Sequence, residues 1–274
     1  MALNDAVFGV TMRFLTLLAA GATLASPALG HEFWISPEAY EVATQEPVRA
    51  NIRVGESFKG NASSFFSRST EQFFVLLDGN RVDPEATLGD RPVLNRAMPD
   101  EGLAVVVYET TDSRLTYRDW QKFVNFVEHK DFDGALERHA ARGLPEEGFV
   151  ETYRRYAKSL IAVGSGDGVD AEVGLDTEIT ALANPYTDDL SGGLPVRVTL
   201  YGAPRADAQV ETYARAPDGT VTVALTRTDA EGVSVIEVEP GYDYMVDAVV
   251  LEERDENAAW HSMWANLTFA VPAQ

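Results

Sequence analysis

The sequence contains no cysteine. That excludes disulfides, thiolate metal sites, thiol nucleophiles and haem attached through Cys-x-x-Cys-His. Any metal must be held by nitrogen, oxygen or a methionine thioether. Basic charge is scarce as well: 22 lysines and arginines stand against 43 acids, for a net charge of −21. Such a surface argues against nucleic acid and anionic membranes as partners. Beyond residue 30 there is no apolar run long enough to span a bilayer, so direct membrane insertion of the mature chain is not expected. Catalytic patterns are missing too. There is no nucleophile elbow around a serine and no His-Glu-x-x-His, and with so many acids no carboxylate pair can be singled out. A non-enzymatic role is the first expectation.

What is present begins with a leader. From Met12, which reads better than Met1 as the start, Arg13 forms a short basic region and Phe14 to Leu24 an apolar one. Ser26-Pro27 breaks the helix, and Ala28-Leu29-Gly30 supplies small residues before a cleavage site. This is the pattern of a Sec-type signal peptide over residues 1–30, which predicts a periplasmic protein whose mature chain starts at His31.

The mature chain reads as mainly β, in two sandwich-like parts with a helical insertion. In the first part, residues 31–175, Val48, Ala50, Ile52 and Val54 alternate with polar residues. Asp78-Gly79 is a turn between strands, and Leu103 to Thr110 is a continuous apolar run. From about 117 to 163 the spacing is helical. Trp120, Phe123, Val124 and Val127 make one stripe, and Ala135, Leu136 and His139 a shorter one before Gly143. Val150, Tyr153, Tyr156, Ala157, Leu160 and Ile161 make a third. Arg154, Arg155 and Lys158 lie off that stripe, as a solvated helix face or as a docking surface for an anionic partner. Val163 to Gly174 is a glycine-rich loop without the flanking elements of a nucleotide fingerprint. The second part, residues 176–274, has short strands punctuated by Pro-Asp-Gly, Asp-Ala-Glu-Gly and Pro-Gly turns, as in an immunoglobulin-like or prealbumin-like sandwich.

There are four histidines, His31, His129, His139 and His261. A histidine at a chain start offers its α-amine and ring Nδ1 as a chelating pair. A second imidazole would complete a three-nitrogen set suited to nickel or copper. His261 is the candidate partner. On a strand it shares a face with Met263, while Trp260, Ser262 and Trp264 share the other. An ordinary core strand with one hydrogen-bonded histidine fits the same residues. Phe33 and Trp34 would anchor the terminus by burial. Glu32 is a solvated acid or an oxygen donor, and His129 and His139 read as helix surface.

Taken together, "HEFWISP" at the mature start, "RYAKSLI", and "TRTDAEGVSVIEVEPGYDYMVDA" followed by "WHSMWANLTF" resemble a family of bacterial periplasmic proteins grouped as a domain of unknown function. Some of its members are associated with nickel or cobalt uptake, as periplasmic components of energy-coupling-factor-type transporters. The resemblance implies a β-rich fold with a helical insertion, His31 as a metal ligand, and an inner-membrane metal transporter as partner. His261 and Met263 rest on their own chemistry. Two rival functions differ in kind. One is a protein- or glycan-binding sandwich without metal, favoured if Trp260 and Trp264 are exposed. The other is a copper-dependent oxygenase built on the terminal histidine.

Overall fold

A computed structural model describes residues 31–255 and 257–273; the expected signal peptide lies outside the described residues. The first half contains β1 (Glu32–Pro37), β2 (Glu41–Val42), β3 (Pro47–Glu56), β4 (Lys59–Ser63), β5 (Thr70–Leu77), β6 (Asn80–Val82), β7 (Leu94–Ala97), β8 (Gly102–Thr110) and β9 (Ser113–Thr116). The helices α1 (Trp120–His129) and α2 (Ala135–Ala141) follow, then β10 (Val150–Val163). The second half contains β11 (Thr177–Ala181), β12 (Leu194–Leu200), β13 (Ala203–Pro204), β14 (Gln209–Arg215), β15 (Val221–Arg227), β16 (Val233–Ile236), β17 (Asp243–Glu253) and β18 (Trp260–Ala270). The protein is mainly β, of sandwich type, with a short helical insertion.

These strands make three layers. The middle layer is a ten-stranded sheet in the order β15-β14-β17-β18-β10-β8-β5-β6, with β2 and β9 alongside β10. One outer sheet contains β1, β3, β4 and β7, and the other contains β11, β12, β13 and β16. Between the first outer sheet and the middle one, Phe33, Ile35, Val48 and Ile52 pack against Val106, Ala157 and Ile161. Across the other face, Ile179, Val196 and Val198 meet Val105, Leu160, Met263 and Leu267. Strand alternation sends successive residues to opposite faces, so β18 divides cleanly: Met263 and Leu267 enter this second core, while Trp260 and Trp264 pack under the helices with Phe123 and Phe126.

Several expectations need correction. The helical segment ends at α2, and residues 150–163 are a strand, not a third helix. The apolar spacing misleads because β10 is covered on both faces by outer sheets, which removes the period-2 contrast that marks a half-buried strand. The halves also do not separate at residue 175. β10 pairs in parallel with β18, from Glu151 opposite Trp260 to Ser159 opposite Thr268, so one sheet carries both. The expected basic cluster disperses accordingly. Arg154 pairs with Asp112 and Glu109, Arg155 is half-buried, and Lys158 is 1% exposed. No basic docking face exists at these residues.

Local sequence explains the helices. Asp119 caps α1 by accepting from the Gln121 amide at 3.0 Å, and Phe123, Phe126 and Val127 form its buried face. Gly134, at φ 66°, makes the left-handed step into α2 that a side chain would resist. His139 is not on the surface. It is 1% exposed, accepts from Trp260 Nε1 at 3.0 Å and lies 3.0 Å from the Pro145 carbonyl. Its Nδ1 is therefore the acceptor and its Nε2 carries the proton, a neutral imidazole that burial further discourages from charging.

Candidate functional site

His31 stands at the edge of the first outer sheet, just before β1. Glu32, Phe33, Trp34 and Ile35 are all buried directly behind it. Gly60, on β4 beyond β3, leaves room for the Trp34 ring, since a Cβ there would lie 2.8 Å from it. His31 Nδ1 is 3.4 Å from Glu56 Oε1, and both side chains are about half exposed.

Beneath β1 lies a cluster of charges on the inner face of the middle sheet. Lys130, just past the end of α1, reaches Glu211 Oε2 at 2.8 Å and Asp247 Oδ2 at 3.1 Å. The Tyr213 hydroxyl lies 2.7 Å from Glu211 Oε2 and 3.0 Å from Glu32 Oε1. Glu32 Oε2 accepts from the Ser57 amide at 3.3 Å. His129 Nε2, half exposed at the rim, is 3.6 Å from Glu211 Oε1. Glu32, Lys130, Glu211 and Asp247 are each at most 5% exposed. Three buried carboxylates thus share one ammonium and one surface imidazole. The chemistry separates them. Burial opposes the charge on Glu211, but His129 and Lys130 outweigh it and hold this carboxyl at about 2. Burial, then the charge of Asp247, pushes Glu32 up to about 7.

That difference has a measurable consequence. Glu32 ordinarily titrates at 4.5, so between there and about 7 the folded protein keeps a proton that the unfolded chain has released. Its contribution is full below 4.5 and is lost as pH rises through 7, an effect of about 3 kcal/mol. Glu32→Gln should flatten the fall in stability between acid and mildly alkaline solution, read by urea denaturation at a series of pH values. Parallel pH profiles for the two proteins would contradict it.

The three residues expected to share a metal are not brought together. His31 lies on the side of the middle sheet covered by β1, whose Ile35 carbonyl accepts from Thr268 Oγ1 at 2.8 Å. His261 and Met263 face the opposite way. His261 is 5% exposed and its Nδ1 is 2.8 Å from Thr152 Oγ1. Met263 Sδ lies 3.7 Å from the Tyr201 hydroxyl. A ten-stranded sheet stands between the two sets. His261 is the hydrogen-bonded histidine of a core strand, and Glu32 is a buried acid, not a solvated one. Trp260 and Trp264 are 0% and 4% exposed, so they form no exposed binding face. Among the described residues no three histidines or acids are grouped to hold a metal by side chains alone.

Sequence reading missed Lys130, Glu211 and Asp247. A signal for Asp247 exists: it interrupts the apolar run "YMVDAVVL" at an inward position. Glu211 in "QVETYAR" is less conspicuous, and Lys130 looks like an ordinary helix-terminal lysine.

Fold and site together define a mainly β protein of sandwich type, two outer sheets on one shared middle sheet, with a buried charge cluster under its first strand. The chain belongs to the DUF4198 family, described as a domain of unknown function, which matches residues 28–252. No curated protein matches it. Among solved structures it is similar to a tetra-tandem repeat in the extending region of a large adhesion protein, at 12% identity and a TM-score of 0.21. That match covers 88% of this chain and 49% of the other, so the chain spans about half the length of that structure. A likeness so weak carries no functional argument.

Proposed function

We propose that this protein is a periplasmic carrier of a divalent transition metal, nickel, cobalt or copper, which it hands to an inner-membrane transporter. The metal is cargo, and His31 with Glu56 takes it up. The observation that supports this is the seating of His31. Its imidazole and the Glu56 carboxylate are 3.4 Å apart and half exposed, while the next four residues are buried and fix the backbone behind it. Cleavage after Gly30 would add the α-amine of His31, which closes a chelate ring with Nδ1 and completes a nitrogen–nitrogen–oxygen set. An α-amine titrates near 8, so a metal displaces its proton readily at neutral pH. His261 and Met263 take no part in this reading.

The test is calorimetric titration of nickel and copper into protein that starts at His31, beside protein with one alanine placed before it. The added residue should weaken binding about tenfold or more, because the amine leaves chelating range. Glu56→Gln should weaken it several-fold, and His261→Gln should leave it unchanged. Equal affinity with and without the added alanine would overturn the proposal.

A further inference from the structure

A second feature lies beside His31 and needs no metal. Between α1, β9 and the start of β10 is a cavity of about 80 Å³, lined by Tyr117, Phe126, Glu151, Tyr153, Arg155 and Trp264, with Leu115 half-buried at its edge. Its polar groups are unequally committed. Glu151 is 2% exposed, and both its oxygens are occupied: Oε1 accepts from Ser262 Oγ, and Oε2 accepts from the Tyr117 hydroxyl at 2.6 Å. Ser262 in turn accepts from Trp264 Nε1 at 2.8 Å. Each oxygen of the acceptor in the wall therefore already has an internal donor.

Arg155 is less committed. Its Nε is sealed from solvent without a hydrogen-bond partner, and among the described residues it forms no salt bridge. Its hydrogen bond to the His31 carbonyl is a long one, 3.4 Å from Nη2, and the Tyr153 hydroxyl is a second side-chain partner. Otherwise it lies over the Tyr153 ring at 4.6 Å and near Phe33 at 5.8 Å. Burial pushes its guanidinium below the usual range for arginine. A desolvated guanidinium with an unused N–H is an unmet demand for an anionic acceptor. Elsewhere in this chain buried cations have that demand met from within: Lys158 has Asp170 and Glu178, and Lys130 has Glu211 and Asp247.

We propose that this cavity binds a small monocarboxylate, with the carboxylate on Arg155 and a compact apolar body against Phe126, Trp264 and Leu115. At about 30 Å³ per water the volume holds roughly three waters, which fits an acid of two or three carbons and no larger one. The aromatic and aliphatic walls disfavour inorganic anions, and Glu151, already holding two internal donors, is a poorer partner for an amine than Arg155 is for an acid.

Propionate is the probe, and propylamine, an apolar body of similar size with the opposite charge, is its control. Both are titrated into metal-free protein starting at His31, read by calorimetry and by tryptophan fluorescence. Propionate should bind with a Kd below about 1 mM, and the amine should not bind at up to about 20 mM. Arg155→Met should weaken propionate about tenfold or more, with near-ultraviolet circular dichroism to confirm the fold. Leu115→Trp, which fills the cavity from its edge and leaves Arg155 in place, should do the same. Absence of propionate binding, equal binding of acid and amine, or unchanged affinity in Leu115→Trp would each overturn the assignment. Because no metal is present, failure here would not bear on the His31 site.

Discussion

Lys158→Met is expected to lower stability by about 3–5 kcal/mol, the range for removing one partner from a buried ionic group. The ammonium lies 2.8 Å from Asp170 Oδ1, 2.9 Å from Glu178 Oε1 and 3.0 Å from the Ala171 carbonyl. These carboxylates organise the chain that leads into the second outer sheet. Glu178 accepts from the amides of Val173, Gly174 and Leu175, and Asp170 accepts from the Ala181 amide at 2.9 Å. Methionine fills the space of the aliphatic stem but leaves two carboxylates facing each other without a counter-charge. Denaturant midpoints would measure the loss. Adding Asp170→Asn to Lys158→Met should restore part of it, because one uncompensated charge is gone. A loss below about 1 kcal/mol would mean that water reaches the site and that the three charges are not a closed unit.

This residue also shows where the sequence stops being legible. In "VETYRRYAKSLIAV" a lysine among apolar residues reads as the polar face of a helix. In the fold it is the counter-charge for acids 12 and 20 positions later, and nothing local announces that pairing. The antiparallel elements were easier. Alternation in "VRANIRV" marks β3, Asp78-Gly79 marks the turn from β5 to β6, and "LAVVVYET" marks β8 as covered on both sides. Each of these signals is carried within one element or one tight turn. The parallel pairing of β10 with β18 joins residues about a hundred positions apart and has no short-range signature. The candidate site divides in the same way. His31 and its buried anchors Phe33 and Trp34 are visible in seven consecutive residues. The assignment of His261 and Met263 as its partners used strand parity correctly and still failed, because parity says which residues share a face but not which outer sheet covers that face.

Lys130→Met should produce a loss of similar size, about 3–5 kcal/mol at pH 8, but with a pH dependence that identifies its cause. Lys130 is the buried cation nearest Glu211 and Asp247, and it also acts on Glu32. Its removal leaves Glu211 without the ammonium that helps to hold its carboxyl at about 2 against an ordinary 4.5. A depressed carboxyl contributes stability above its unfolded value, and that contribution is lost as pH falls through the folded one. The variant lacks most of this contribution, so the gap between wild type and Lys130→Met should be widest at pH 8. It should close as the solution is taken from about 4.5 toward 2, where both proteins protonate Glu211. A gap that stays constant with pH would mean that methionine disturbs packing around Trp264, over which the ammonium lies at 5.1 Å, and not charge.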